Sequence, residues 1–259
     1  MSSSQTTRTD LVERASQWLQ PSRFKDYCPN GLQVEGSAQV RLIVSGVTAS
    51  LALIEAAIER GADTVLVHHG LFWRGQDGTL TGWMRERVAK LMSNNINLLA
   101  YHLPLDAHEC LGNNAQLAAR LGLETRSTFG DQNLGHLGVN KDALTAGKLS
   151  TKDLALRVSK ALGKEPLVID PSAGRELKNI AWCTGGAQSW FEDAIKAGAD
   201  AFITGEISEP QAHLARETGV AFLACGHHAT ERYGVQALGH ALAKEFDIEH
   251  QFIDIDNPA

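Results

Sequence analysis

The sequence is poor in the features that staple small proteins or grip nucleic acids. Its four cysteines, Cys28, Cys110, Cys183 and Cys225, lie far apart with no CxxC pair. That spacing excludes a zinc ribbon, a thioredoxin motif and a disulfide framework, and the four read as reduced, partly buried thiols. There is no clustered Lys/Arg tract, and the formal net charge is −6, which argues against stable nucleic-acid binding along a basic face but leaves room for a small-molecule substrate. No apolar run is long enough to cross a bilayer, and the opening MSSSQTTRTD lacks the apolar stretch of a secretory signal. The expectation is therefore a soluble, cytoplasmic chain without a membrane partner. Walker, GxGxxG and GxSxG motifs are all missing, so catalysis by a side-chain nucleophile has no support.

What is present is an α/β rhythm. With 259 residues, 43% of them hydrophobic, the chain can bury a substantial core. Strand-like runs at 40–47, 63–67, 96–102, 179–183, 200–204 and 220–225 alternate with amphipathic stretches such as 51–61 and 189–198. This pattern predicts βαβ units around mainly parallel sheet. A first helix is expected over 9–19, an irregular connection over 20–37, and a hairpin-like piece (134–140) plus a helix (151–162) within a less legible stretch at 125–178. The chain also echoes itself. Setting Gly61-Ala62-Asp63 on Gly198-Ala199-Asp200 brings a helix, its following strand and the next strand into register. A single matched unit can arise from composition; two in succession point to two similar α/β domains, 1–126 and 127–259.

The matched strands end in chemistry. DTVLV is followed by His68-His69, and INLLAYH ends in His102 with Asp106 four residues on. In the second half DAFIT is followed by Gly205-Glu206, and VAFLAC by Gly226-His227-His228 with Glu231 beyond. Ligands of open α/β sheets bind outside the carboxyl ends of the strands, where these groups stand. Neighbouring strand residues point to opposite sides, so His68 and His69 suit two ions better than one. Each residue also has an ordinary use: a core imidazole bonded to a carbonyl for the histidines, a turn cap for Asp106, a dipole-favoured first-turn acid for Glu231. Helical spacing lets either His227 or His228 pair with Glu231. TGG (184–186) and SGVTAS (45–50) read as tight β–α turns whose amides can also receive an anion.

Taken in order, YCPNGLQVEG (27–36), GVTAS (46–50), DTVLVHHGLFW (63–73), YHLPLDAH (101–108), GNN (112–114), TGGAQSW (184–190), ADAFITGE (199–206) and GHHATE (226–231) resemble the GTP cyclohydrolase 1 type 2 homologues, also called Nif-three-like. Members of that family carry a dinuclear metal centre. The resemblance implies five metal ligands, His68, His69, Asp106, His227 and Glu231, selecting His227 over His228. It further implies two divalent ions per subunit held between two similar α/β domains, and a toroidal homohexamer built as a trimer of dimers. The domain inserted in some relatives has no room at 125–178.

Five side chains leave both coordination spheres incomplete, and open positions mark a catalytic site. The expected activity is a metal-dependent, cyclohydrolase-like hydrolysis of a nucleotide or related small molecule through metal-bound hydroxide, with His102 or His228 moving protons. The alternative is a non-catalytic metal-binding, metal-delivery or scaffold protein. Imidazole and carboxylate ligands admit zinc, iron, manganese, cobalt or nickel.

Overall fold

The computed structural model describes residues 5–141 and 148–259; six residues of the 125–178 stretch, 142–147, lie outside that range. In chain order the elements are α1 (Arg8–Leu19), β1 (Gly31–Val34), β2 (Leu42–Thr48), α2 (Leu51–Glu59), β3 (Thr64–His69), α3 (Gly82–Ser93), β4 (Asn97–Ala100), α4 (Leu103–Ala107), α5 (Asn113–Leu121), β5 (Leu123–Phe129), β6 (Gly135–Asn140), α6 (Thr151–Leu162), β7 (Leu167–Ile169), β8 (Ile180–Trp182), α7 (Phe191–Lys196), β9 (Ala201–Thr204), α8 (Glu209–Thr218), β10 (Ala221–Ala224), α9 (His227–Phe246) and β11 (Glu249–Phe252). The α/β class and the six expected strands are all present. Two compact units result: Met1–Gly112 with Arg232–Asp256, and Asn113–Glu231 with Asn257–Ala259. Among the described residues no helix is long and apolar enough to cross a membrane.

The first unit holds a sheet of order β1-β4-β3-β2-β11. Strands β4, β3, β2 and β11 run parallel, and β1 lies antiparallel on β4. Its central strand, β3, is apolar over Val65–Val67, where both faces are covered. Val65 and Val67 pack with Val44, Leu53 and Leu98 on one side, while Leu66 packs with Leu11, Leu99 and Leu238 on the other. Alternation of strand side chains thus divides one strand between two apolar layers. A capping box, with Thr7 and Asp10 bonding each other's backbone, starts α1 at a typical gain of about 1 kcal/mol.

The second unit holds a sheet of order β5-β6-β8-β9-β10-β7. Only β8, β9 and β10 are parallel; the β5–β6 hairpin and β7 join antiparallel. The first sheet is thus mainly parallel, as expected, whereas the second is mixed, because a hairpin and a short edge strand extend its parallel core. Phe191, Phe202 and Phe222 form its aromatic centre, with ring centroids 4.9–6.0 Å apart. The boundary expected at 126/127 falls inside β5. Asn114 shows why the second unit starts earlier: its side chain donates to Leu134 O (3.2 Å) and accepts from Thr184 N (3.0 Å), and its carbonyl accepts from Trp182 Nε1 (3.1 Å). These bonds tie α5 to β6 and β8.

The internal echo has a physical basis in hydrogen bonds. Ala62 N donates to Ala57 O and Ala199 N to Ala194 O, closing the two preceding helices alike. Asp63 Oδ2 accepts from Arg41 N and Leu42 N at the start of β2, and Asp200 Oδ2 accepts from Lys178 N and Asn179 N at the start of β8. Tyr101 N reaches Val67 O, and Cys225 N reaches Thr204 O, at corresponding strand ends. The repeated Gly-Ala-Asp is thus a joint that pins the start of the neighbouring strand.

His136 in β6 is buried, stacks on Trp182 with centroids 5.5 Å apart, and bonds Thr125 Oγ1 through Nδ1. Burial pushes its pKa down from 6.5 to about 4. Above pH 6.5 neither the folded nor the unfolded chain holds this proton. Between 6.5 and 4 only the unfolded chain takes it up, so stability falls as pH drops through that window and levels off below it. The loss from His136 amounts to at most about 3 kcal/mol. His250, whose Nε2 lies 2.8 Å from Ser45 Oγ, is lowered to about 4 by burial and by His240, and acts in the same direction. Urea unfolding at pH 7 and pH 4.5 should show the difference, and a flat profile would refute this assignment.

Candidate metal centre

In the first unit the candidate side chains gather where β3 and β4 end. His68 and His69 close β3, with His69 opposite Thr48 of β2. His68 is fully buried, and its Nδ1 donates to Tyr101 O at 2.9 Å. A carbonyl only accepts, so Nδ1 carries the hydrogen and the lone pair of a neutral His68 is on Nε2. That nitrogen lies 3.5 Å from Asp106 Oδ1 on the short helix α4. A lone pair facing a carboxylate is an apposition of two acceptors, which a proton or a cation between them makes favourable. His69 Nδ1 lies 3.2 Å from Thr48 Oγ1. The two rings are 4.6 Å apart at their centroids, so strand alternation does not separate them at this terminus.

His102 completes the group, with its ring 5.0 Å from His68 and 5.8 Å from His69, and Trp73 edge-on at 5.0 Å. Its Nδ1 is 2.7 Å from Asp26 Oδ1. Burial works to raise the Asp26 carboxyl, but the bonds from His102 and Asn30 outweigh it and hold the group at about 2. One ring nitrogen each of His68, His69 and His102 lie within 4.8 Å of one another, as do ligand atoms of Asp26, Cys28 and His102. Burial, aided by the charges of Asp26 and Asp106, pushes the Cys28 thiol up to about 12. The cysteine expectation holds for Cys28, Cys183 and Cys225, which are buried, whereas Cys110 is exposed; none forms a disulfide.

The second unit repeats the logic. His227 opens α9, donates through Nδ1 to Glu206 Oε1 (2.6 Å) and sets Nε2 3.1 Å from Glu231 Oε2. Burial disfavours the charged ring, yet Glu231 and Glu206 together raise its pKa to about 9. Glu231 is 3% exposed. The turn after β8 is shaped around it: Gly185 has φ +69°, and its N–H donates to Thr230 Oγ1. Gln188 Nε2 holds the other Glu206 oxygen at 3.0 Å. His228 is buried too, its N–H donating to Ala259 O; it belongs to none of the clusters of possible ligand atoms among the described residues.

The sequence pattern of the Duf34/NIF3 (NGG1p interacting factor 3) family matches residues 6–258. The chain belongs to this family. A Pseudomonas aeruginosa protein named GTP cyclohydrolase 1 type 2 homolog is 54% identical, with 96% of this chain and 97% of the relative covered. A Neisseria meningitidis homolog of the same name is 51% identical over 97% and 99% of the two chains. Among solved structures, the protein ybgI, of unknown function, superposes with a TM-score of 0.93 at 45% identity, covering 98% of this chain and 100% of its own. TTHA1606 from Thermus thermophilus gives 0.86 at 32% identity, covering 98% and 100%. The NIF3 fold is therefore the one expected from the sequence motifs, and His/Asp/Glu clusters able to bind metal lie at its strand ends.

Three residues of this NIF3 site escaped the sequence reading. Asp26 and Asn30 come from the turn-rich connection assigned no function. Glu206 was visible as a strand-end acid but was not placed among the site residues. The echo held a signal for it, since Glu206 falls opposite His69 in the aligned halves.

Proposed function

We propose that His68, His69, Asp106, His227 and Glu231 hold two divalent ions per subunit, and that the NIF3 chain is a metal-dependent hydrolase acting on a nucleotide or related small molecule. The observation that carries the reading is local and occurs twice: an imidazole, fully buried in His68 and part-buried in His227, whose Nδ1 is committed to an acceptor and whose Nε2 faces a buried carboxylate, in His68–Asp106 and in His227–Glu231. Such fixing of Nδ1 by a carbonyl or carboxylate is the usual support of a metal-ligating histidine. The donor set fits: nitrogen and oxygen ligands without thiolate suit zinc, manganese, iron, cobalt or nickel. Two bound ions would supply an activated water at neutral pH and Lewis acidity toward the substrate.

The chain's own residues provide the rest. Glu206 and Gln188 orient His227, Tyr101 O orients His68, and Trp73 closes one side of His102. His102 and His228 are assigned to proton movement, and the working assembly is a homohexamer, a trimer of dimers, which light scattering measures. The names of the relatives support cyclohydrolase-like chemistry as the first substrate class to test.

Metal-reconstituted protein and its Glu231→Gln variant should be assayed against GTP, bis-p-nitrophenyl phosphate, p-nitrophenyl acetate and a simple lactone. Turnover of one class, lost by at least a hundredfold in the variant, is the expected result. Absence of turnover on every class, with rapid metal transfer to an acceptor chelator, would favour the delivery reading instead.

A further inference from the structure

We propose that Asp26 is a positioning residue that locks His102 in its Nδ1–H tautomer, so that the Nε2 lone pair is presented to the His68–His69 group as a fixed proton acceptor. The inference rests on the metal-centre reading for its chemistry, though not for its geometry.

The geometry lies within the first unit. Asp26 has a side chain only 5% exposed, and His102 one 14% exposed. The carboxylate accepts four hydrogen bonds: from Tyr27 N (2.6 Å) and His102 Nδ1 (2.7 Å) on Oδ1, and from Asn30 Nδ2 (2.8 Å) and Leu103 N (3.0 Å) on Oδ2. With every bond direction filled, the carboxylate cannot swing away from the ring. Asn30 braces the other end, its Oδ1 accepting from His102 N at 2.7 Å. The backbone and ring of His102 are thus gripped by one loop, Asp26–Asn30, at the residue that precedes α4. In solution a neutral imidazole prefers the hydrogen on Nε2; a carboxylate on Nδ1 reverses that choice. The reversed tautomer matters because of what surrounds the ring. Trp73 meets it edge-on, and His68 and His69 lie beside it. A hydrogen on Nε2 would make that nitrogen a donor; a lone pair there lets it accept a proton from a water or substrate hydroxyl.

A purely structural Asp26 would pin the loop and nothing more, so the test reads the tautomer itself. Two-bond nitrogen–proton correlation spectra of uniformly 15N-labelled, metal-free full-length protein, assigned with His102→Gln, should show His102 with a pyrrole-type Nδ1 and a pyridine-type Nε2. In Asp26→Asn the amide can turn its NH2 to the ring, and the pattern should switch to Nε2–H, while Asp26→Glu should restore the wild-type pattern at least in part. Amide shifts outside 26–30 and 101–108 report that the fold is kept. A wild-type His102 already in the Nε2–H form, or a tautomer unchanged by Asp26→Asn in a folded protein, would overturn the proposal. Where a panel substrate turns over, Asp26→Asn should lower kcat by ten- to a hundredfold with KM and metal content unchanged; equal loss of metal would overturn it. These outcomes are separable from failure of the hydrolase reading, because the spectra need neither metal nor substrate.

Discussion

Replacing Gly185 by alanine should reduce metal affinity by a hundredfold or more while leaving the chain folded. The residue sits in the β8–α7 turn at φ +69°, and a Cβ built there lands on Glu231 Oε1 and within 3.2 Å of His227 Nε2. Two effects combine. The left-handed backbone disfavours any side chain by about 1 kcal/mol, a cost a folded domain tolerates. The methyl group also claims the space of the Glu231 carboxylate, a proposed ligand that is nearly inaccessible to solvent. Displaced ligands lose affinity by the factors seen when the supports of a metal site are removed, about 10–100-fold for a supporting residue and more for the ligand itself. Competitive zinc titration against a chromophoric chelator measures the change, and thermal melting of the metal-free protein controls for folding. Unaltered zinc affinity in a folded Gly185→Ala chain would show that Glu231 is not where a cation binds.

How much of this site could be read from the sequence depends on where each residue's partner lies in the chain. His68-His69, Asp106, His227 and Glu231 stand at the ends of apolar strands or in the first turn that follows, so alternation and helical spacing mark them. Their supports do not stand in any such pattern. Asp26 meets His102 across 76 positions, from a connection whose turn formers hide both the carboxylate and strand β1. Glu206 meets His227 across 21 positions and differs in type from its echo partner His69. The fold divides in the same way. Long strands covered on both faces are legible as apolar runs, whereas β11, with alternately exposed residues at the sheet edge, and α8, with only Gln211 and Ala215 buried, carry too little apolar signal to stand out. Pairing direction was less legible still, because an edge strand such as β7 can join either way without a change of composition.

The joint that the internal repeat preserves carries the largest stability effect. Asp63→Ala and Asp200→Ala should each destabilise the chain by about 3–5 kcal/mol, since each carboxylate receives two backbone N–H groups of a neighbouring strand and bonds to a charged acceptor contribute about 1.5–3 kcal/mol apiece. The distances are 2.8 and 3.1 Å at Asp63 and 2.9 and 2.9 Å at Asp200. Both side chains are close to buried, 13% and 12% exposed, so water recovers little of what alanine removes. The arginine beside each carboxylate, Arg41 or Arg175, is half-exposed or more and adds little by comparison. Arg41→Ala and Arg175→Ala should therefore cost under about 1 kcal/mol, a contrast that separates strand pinning from ion pairing. Asp→Asn at either position keeps one acceptor oxygen and should fall between. Because the two joints sit in different sheets with no shared partner, the losses should add in the double variant to within about 0.5 kcal/mol. Urea unfolding of the four single variants and the double decides the matter: if the arginine variants lose as much as the aspartate ones, the joint is an ion pair and the echo at Gly-Ala-Asp needs another cause.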